Sequence, residues 1–525
     1  MVPDLNPQDA QLATLYAELR ALRAEVAKLR QVNHTLREDN QALRDEVARL
    51  KGHKGKPNIG PSRLAPDPKP PAKKGARRSK LSAPRLPRVE TLKPLHVPPG
   101  SRFKGYSSYR VQELILSSEL IEYRLERWLT PDGELLTAPL PPGQVGSHFG
   151  PTLRQFVLYQ YHHAHVTEPL LLEELREWGI SLSSGELHRL ITEEHQAFHQ
   201  EKDELLRVGL RVSEHIHVDD TGARHQGKNG FCTHIGNDWF AWFQSTPSKS
   251  RKNFLDLLRA GKKDYVLGQS ATDYMAQQDL PKGVVERLVA QGEQTFENEA
   301  AWEKALQEWG IQSPRHRQVV TEGALLGSAL ANGMNPELAV MSDDAGQFNV
   351  MCHLLCWVHA ERNLAKLVGF NDEQRADLEQ VRTKVWGLYR DLQAYGAAPE
   401  EAAKAGLSER FDELCRTRTS FTLLNLALER LGKNKAELLV VLERPGVPLH
   451  NNLSEGDIRE YVKRKKMSGG TRSEEGRQGR DTFASLKKTC RKLGVSFWSY
   501  LKDRLMGGNL IQPLPQLVEA RAQAR

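Results

Sequence analysis

Cysteine is scarce, with five in 525 residues (Cys232, Cys352, Cys356, Cys415 and Cys490), too few and too scattered for a disulfide framework. Nowhere does an apolar run approach the roughly 20 residues of a membrane helix, so no membrane partner is expected. The opening MVPDLNPQDAQLATLY has neither the basic segment nor the apolar segment of a secretory signal. Aromatics are sparse at 7%, but 39% apolar residues are ample for a buried core. A cytoplasmic chain of three or four structural units is the expectation, at roughly 150 residues per domain.

Charge is plentiful and uneven. The net is +8, yet residues 51–110 alone hold 16 Lys and Arg against two acids, and residues 459–492 hold 12 against four. Concentrated cationic stretches attract polyanions, of which nucleic acid is the commonest inside cells.

Leu15, Leu22, Leu29, Leu36, Leu43 and Leu50 recur every seven residues, with Leu12, Leu19, Val26, Asn33, Asn40 and Val47 in a second register. This is a heptad seam. Asn33 and Asn40 at its a positions cost stability but fix register and favour two parallel strands. Glu18, Glu25, Asp39 and Glu46 are placed to pair with Arg23, Arg30, Arg44 and Lys51 of a parallel partner. Residues 8–51 therefore read as a homodimeric coiled coil, about 60 Å long at 1.5 Å per residue. Residues 52–108 follow as a basic Pro-rich linker, with Lys73, Lys74, Arg77 and Arg78 as candidate DNA contacts.

Residues 109–210 read as a small mixed α/β region. RVQELILSSELIEYRLERWLTPDG suggests a ribbon ending at Pro131-Asp132-Gly133. A helix begins near Pro151, and two more follow around Gly179, the second capped by Ser183 or Ser184. That pair fits a helix-turn-helix, with Glu186, His188 and Arg189 on the exposed side and Arg189 as a DNA contact. His162, His163 and His165 read as surface or packing residues.

HIHVDDTGARHQ alternates as a strand, and GFCTHIGN and DWFAWFQST continue as two more before a helix. ELAVMSDDAGQF reads as a buried strand ending in Asp343-Asp344, and CHLLCWVHAERNLAKLVG as a helix. On that helix Cys352, Cys356 and His359 share a face, a spacing that favours buried thiols over a zinc site lacking a fourth ligand. Trp357 reads as core. After a helical block, 371–440, Asn451 or Asn452 caps a helix with Glu455 in its first turn and Arg459 one turn on. Strand-end Asp219, strand-end Asp343 and helix Glu455 are what two-metal phosphoryl transfer requires. Hard oxygen ligands hold two Mg²⁺ (Mn²⁺ substituting), one activating the nucleophile and one stabilising the leaving oxygen. Each Asp is followed by another, Asp220 and Asp344. The first of each pair is preferred, because Asp219 lies opposite Ile216 and Val218. Lys463, Arg464 and Lys466, with Arg459, read as contacts to a DNA backbone.

HVDDTG, SDDAGQFN, CWVHAERNL and HNNLSEGDIREYVKRKK, followed by KKTCRKLGVSFWSYL, resemble the signature blocks of the insertion-sequence-66 family of bacterial DDE transposases, over roughly residues 110–505. The resemblance implies an α/β ribonuclease-H-like catalytic core with helical insertions (211–370 and 441–505, interrupted by 371–440), then a tail, 506–525. It implies Mg²⁺-dependent cleavage and transfer of DNA strands in a bacterial cytoplasm, with Asp219, Asp343 and Glu455 as the triad. It also places His359 at the active site. The four-cysteine zinc module of many members is absent, since 51–110 holds no cysteine. The expected partners are transposon ends and target DNA, a second copy of the chain, and accessory proteins of the same element. Two rival readings stand beside this one: a non-catalytic dimeric DNA-binding regulator, and a nuclease of the same fold that cuts without joining.

Overall fold

A computed structural model describes residues 89–109, 111, 114–144 and 148–524, with residues 25, 26 and 31. The chain divides into two units, Met1–Pro84 and Arg85–Arg525. In the first, only Glu25, Val26 and Gln31 are described, each helical and exposed. The leucine and asparagine seam from Leu15 to Leu50, and Lys73, Lys74, Arg77 and Arg78, lie outside the described residues.

The second unit enters its fold through an antiparallel ribbon, β1 (Arg127–Leu129) and β2 (Leu135–Thr137). The strands flank Pro131-Asp132-Gly133 rather than ending at it. Gly133 takes φ 82° and donates to the Thr130 carbonyl, while the Thr130 hydroxyl accepts from the Glu134 N–H, closing a tight turn.

Three helices follow: α1 (Pro151–Tyr159), α2 (Glu168–Glu177) and α3 (Ser184–Thr192). α1 continues as a wider π turn to Ala164 and stops where His165 goes left-handed. Val157, Leu171, Leu175, Leu187 and Ile191 give the three helices their own small core. Ser183 caps α3 in a reciprocal box with Glu186, so the Glu186 carboxylate is spent on the cap.

The next helix, α4 (Gln196–Val212), belongs to the main core rather than to this group, through Phe198, Leu205, Leu206 and Leu210. The main sheet then forms in the expected order: β3 (His215–His225), β4 (Lys228–Gly236) and β5 (Ala241–Thr246), all antiparallel, before α5 (Arg251–Leu258). An excursion adds the ribbon β6 (Tyr265–Leu267) with β7 (Gln294–Phe296), and helices α6 (Gln269–Gln277), α7 (Lys282–Val289), α8 (Glu299–Glu308) and α9 (Pro314–Ala331). The sheet resumes with β8 (Ala339–Ser342) and β9 (Cys352–Leu355), both parallel to β3, giving the order β5-β4-β3-β8-β9. The CHLL segment expected to open a helix is thus strand β9. Its apolar run is buried beside β8, and the helix α10 (Trp357–Ala365) begins only after Cys356. Cys352 therefore shares no helical face with Cys356 and His359. The link 343–351 is shorter than the about a dozen residues that join most parallel neighbours. It turns back through a short 3-10 segment and through Met351 at φ 55°.

A helical insertion follows: α11 (Asp372–Ala397), α12 (Glu401–Arg416), α13 (Thr422–Lys433) and α14 (Lys435–Leu438). The chain returns through α15 (Asn452–Ser468), α16 (Glu474–Leu493), α17 (Phe497–Met506) and α18 (Leu514–Gln523). The closing segment is no loose tail, because Leu514 and Val518 are fully buried in the main core.

Two layers cover the sheet. Ile216, Val218, Ile235 and Trp242 face the main core with α4, α5 and α9. Cys232, Ala241 and Phe243 face the other way, against Ile458 and Tyr461 of α15. A mixed sheet between helices is compatible with the expected ribonuclease-H-like core.

Candidate active site

β3 is the central strand, and Asp219 sits where its parallel neighbour stops. The last register pairs are Ile216 with Val340 and His217 with Met341. Two residues beyond that last pair come Asp219, still within β3, and Asp343, just past the end of β8. β3 itself runs on to His225, so Asp219 marks the end of the shared ladder rather than the end of its strand.

Alternation separates the paired aspartates. Asp219 pairs with His234 across β3 and β4 and shares the face covered by α15. Asp220 pairs with Thr233 on the opposite face, where its carboxylate accepts from the Thr233 hydroxyl (2.5 Å) and the Gln347 amide (3.0 Å). Asp344 is likewise engaged, in an ion pair with Arg430 of α13. The described side-chain bonds of Asp219 and Asp343 are to the backbone N–H groups of Asp220 and Ala345.

Glu455 is delivered by a pinned helix start. Asn451 is fully buried, yet its side chain does not cap α15. Its amide donates to the Val218 carbonyl (2.8 Å), its side-chain oxygen meets His217 Nδ1 (3.0 Å), and its backbone N–H donates to Cys356 Sγ (3.2 Å). One turn on, Ser454 bonds His234 (2.7 Å). These bonds tie the first turn of α15 to the strand residues flanking Asp219, and Glu455 projects from that turn. Arg459, expected to support it, is exposed and not its partner. Arg362 of α10 holds it instead, at 3.0 and 3.5 Å, with His359 Nε2 at 3.5 Å. Sequence reasoning missed Arg362, although it lies three residues from His359 on the same helix face.

Burial and the neighbouring charges of Asp343, Asp220 and Glu455 push the Asp219 carboxyl up to about 7, against a hydrogen bond from the Asp220 N–H that favours ionisation. Burial also lowers His359 below its ordinary value, although Glu455 and Asp343 pull the other way. Asp219 and Asp343 thus form an acidic pair short of compensating charge, and all-oxygen donors suit a hard divalent cation. Among the described residues no three potential ligands surround one point, and Glu455 is held by Arg362. The oxygen donors of Asp219 and Asp343 are of the kind that fits Mg²⁺.

The expected DNA contacts divide. Arg189, Lys463 and Lys466 are exposed. Arg464 is not a surface contact: it is 5% exposed and stacks on Tyr161, 4.0 Å from the ring centroid. Trp357 is fully buried and donates to the Leu438 carbonyl. His162 stacks on Phe483 and His163 on Tyr159, as packing residues do.

The family model described as Transposase IS66 family matches residues 333–479, a span containing Asp343, His359, Arg362 and Glu455 but not Asp219. The uncharacterized protein y4jO of Sinorhizobium fredii is 42% identical over 321 residues, which is 61% of this chain and 100% of that protein. No solved structure matches.

Proposed function

The chain belongs to the IS66 transposase family, and from that premise we propose that it is a DDE-type DNA transposase with a ribonuclease-H-like core, cutting insertion-sequence ends and transferring the 3′-hydroxyls to target DNA. The observation that carries this reading is that the charges of Asp343, directly after β8, and Glu455, in the first turn of α15, both act on the Asp219 carboxyl of the central strand. Two Mg²⁺ bound by Asp219, Asp343 and Glu455 would supply an activated oxygen nucleophile and charge for the leaving oxygen.

The chain's own groups prepare that chemistry. Burial and the neighbouring acids make the ionised Asp219 carboxylate costly, so a bound cation would be the group that stabilises its charge. Asn451 fixes where α15 starts, and so where Glu455 points. The Arg362 guanidinium neutralises Glu455 until the carboxylate is needed. Once released, it is a cation beside the acids and placed for a phosphate oxygen. The exposed Arg189, Arg459, Lys463 and Lys466 offer backbone contacts that position a duplex without reading its sequence. The heptad seam would pair two copies, so that two element ends are held together.

Asp219→Asn and Glu455→Gln should each abolish cleavage of element-end DNA while leaving the gel-shift affinity within about threefold, since neither carboxylate attracts phosphate. Normal cutting by either variant overturns the triad. Cutting without joining by the unaltered protein points to a nuclease, and binding without cutting to a regulator.

A further inference from the structure

Between α10 and α13, where the core meets the helical insertion, lies a cavity of about 360 Å³. Sites for small ligands begin at about 300 Å³, so this one takes a single nucleoside-sized group and excludes a duplex. We propose that it is the subsite for one unstacked nucleotide of the DNA strand being cut. The inference rests on the reading above that DNA is the substrate.

Position is the first argument. The cavity shares His359 with the acidic site, whose Glu455 lies 3.5 Å from the same ring, and Asp344 in its wall directly follows Asp343. A strand whose phosphate reaches the acids has its neighbouring base beside this opening. Chemistry is the second. Leu355 and Leu431 line it with apolar surface, which a base plane can cover. Asn363 and Asn434 offer amides to a base edge. His359 Nδ1 is buried without a hydrogen-bond partner, a state that costs free energy until a ligand or water satisfies it. Arg430, well exposed at the edge and paired with Asp344, supplies the cation for the accompanying phosphate. Access favours the same subsite. The acids sit in the corner between strand ends and two helices, and a base leaving its stack lets the backbone bend into it. Seating that base offsets the cost of unstacking.

The test uses the full chain and duplexes from the ends of its own element, with 2-aminopurine at successive positions across the junction, in EDTA so that binding is read without cutting. The expected result is a several-fold fluorescence rise at one position beside the cut. Ala427→Phe and Ala360→Phe fill the cavity from α13 and α10, and each should remove that rise while gel-shift affinity stays within about twofold. Leu423→Phe, on α13 but outside the cavity, should keep it. Either filling variant that melts as the unaltered protein does suffices. No rise at any position, or a full rise in a folded filling variant, overturns the subsite. A rise in a protein that binds but never cuts with Mg²⁺ overturns the transposase reading and leaves the subsite standing. Failure to bind DNA overturns both.

Discussion

At the scale of single residues, Asp219 ionises against its surroundings. Its carboxyl is raised to about 7 by burial and three neighbouring acids, whereas the unfolded chain releases that proton near pH 3.8. Between these values the folded state binds more protons than the unfolded one, so Asp219 makes stability fall as pH rises from about 4 to 7. Asp219→Asn should flatten that decline and raise Tm by several degrees at pH 8, with little change at pH 4. A thermal melt series checks both limits. Mg²⁺ should raise Tm of the unaltered protein at pH 8 and do so much less in Asp219→Asn. Arg362 competes for Glu455, so Arg362→Gln should lower the Mg²⁺ concentration giving half of that rise. The separate faces of Asp219 and Asp220 were legible because strand alternation sorts neighbours, and Thr233 and Gln347 hold Asp220 on the other side. Arg362 was not legible, because a charged residue on an amphipathic helix reads as solvated until its partner is placed.

At the scale of elements, β5 is an edge strand whose outward N–H groups need partners. α16 supplies them at one-turn intervals: Thr489 to Ala241 (3.1 Å), Ser485 to Phe243 (2.9 Å) and Asp481 to Ser245 (2.6 Å). A helix laid along the edge in this way blocks pairing with another chain. Ser485→Ala strands a buried N–H and should cost about 1–3 kcal/mol in denaturant titration. Asn451→Ala strands both the Val218 carbonyl and His217, and should cost a similar amount while lowering any cleavage rate. Asp481, Ser485 and Thr489 carry no such signal in the sequence, since nothing local says a strand edge lies beneath. The three antiparallel strands and the buried β8 were legible from period and apolar runs. β9 was not, because four residues, Cys352–Leu355, leading straight into a helix have no period to tell strand from helix.

At the scale of the whole molecule, the charge pattern separates roles. Cationic residues concentrate in 51–110 and 459–492, while acids gather where β3, β8 and α15 meet. Within the second stretch the structure divides surface from interior: Lys463 and Lys466 are exposed, whereas Arg464 is packed on Tyr161. Composition counts all three alike. The heptad seam makes its own prediction. Leu29→Pro with Leu36→Pro in the full chain should move the sedimenting mass from two copies to the 59.2 kDa of one. An unchanged mass would place dimerisation elsewhere.

The central claim is tested most directly on DNA flanking the protein's own gene, where the ends of its element should lie. That duplex is incubated with the full chain and Mg²⁺ or Mn²⁺, beside Glu455→Gln, and cleaved and joined 3′ ends are mapped. The account predicts metal-dependent cuts at the ends and joined products, both absent with Glu455→Gln. Equal cutting by the two proteins, or binding with no cut in either metal, would contradict it.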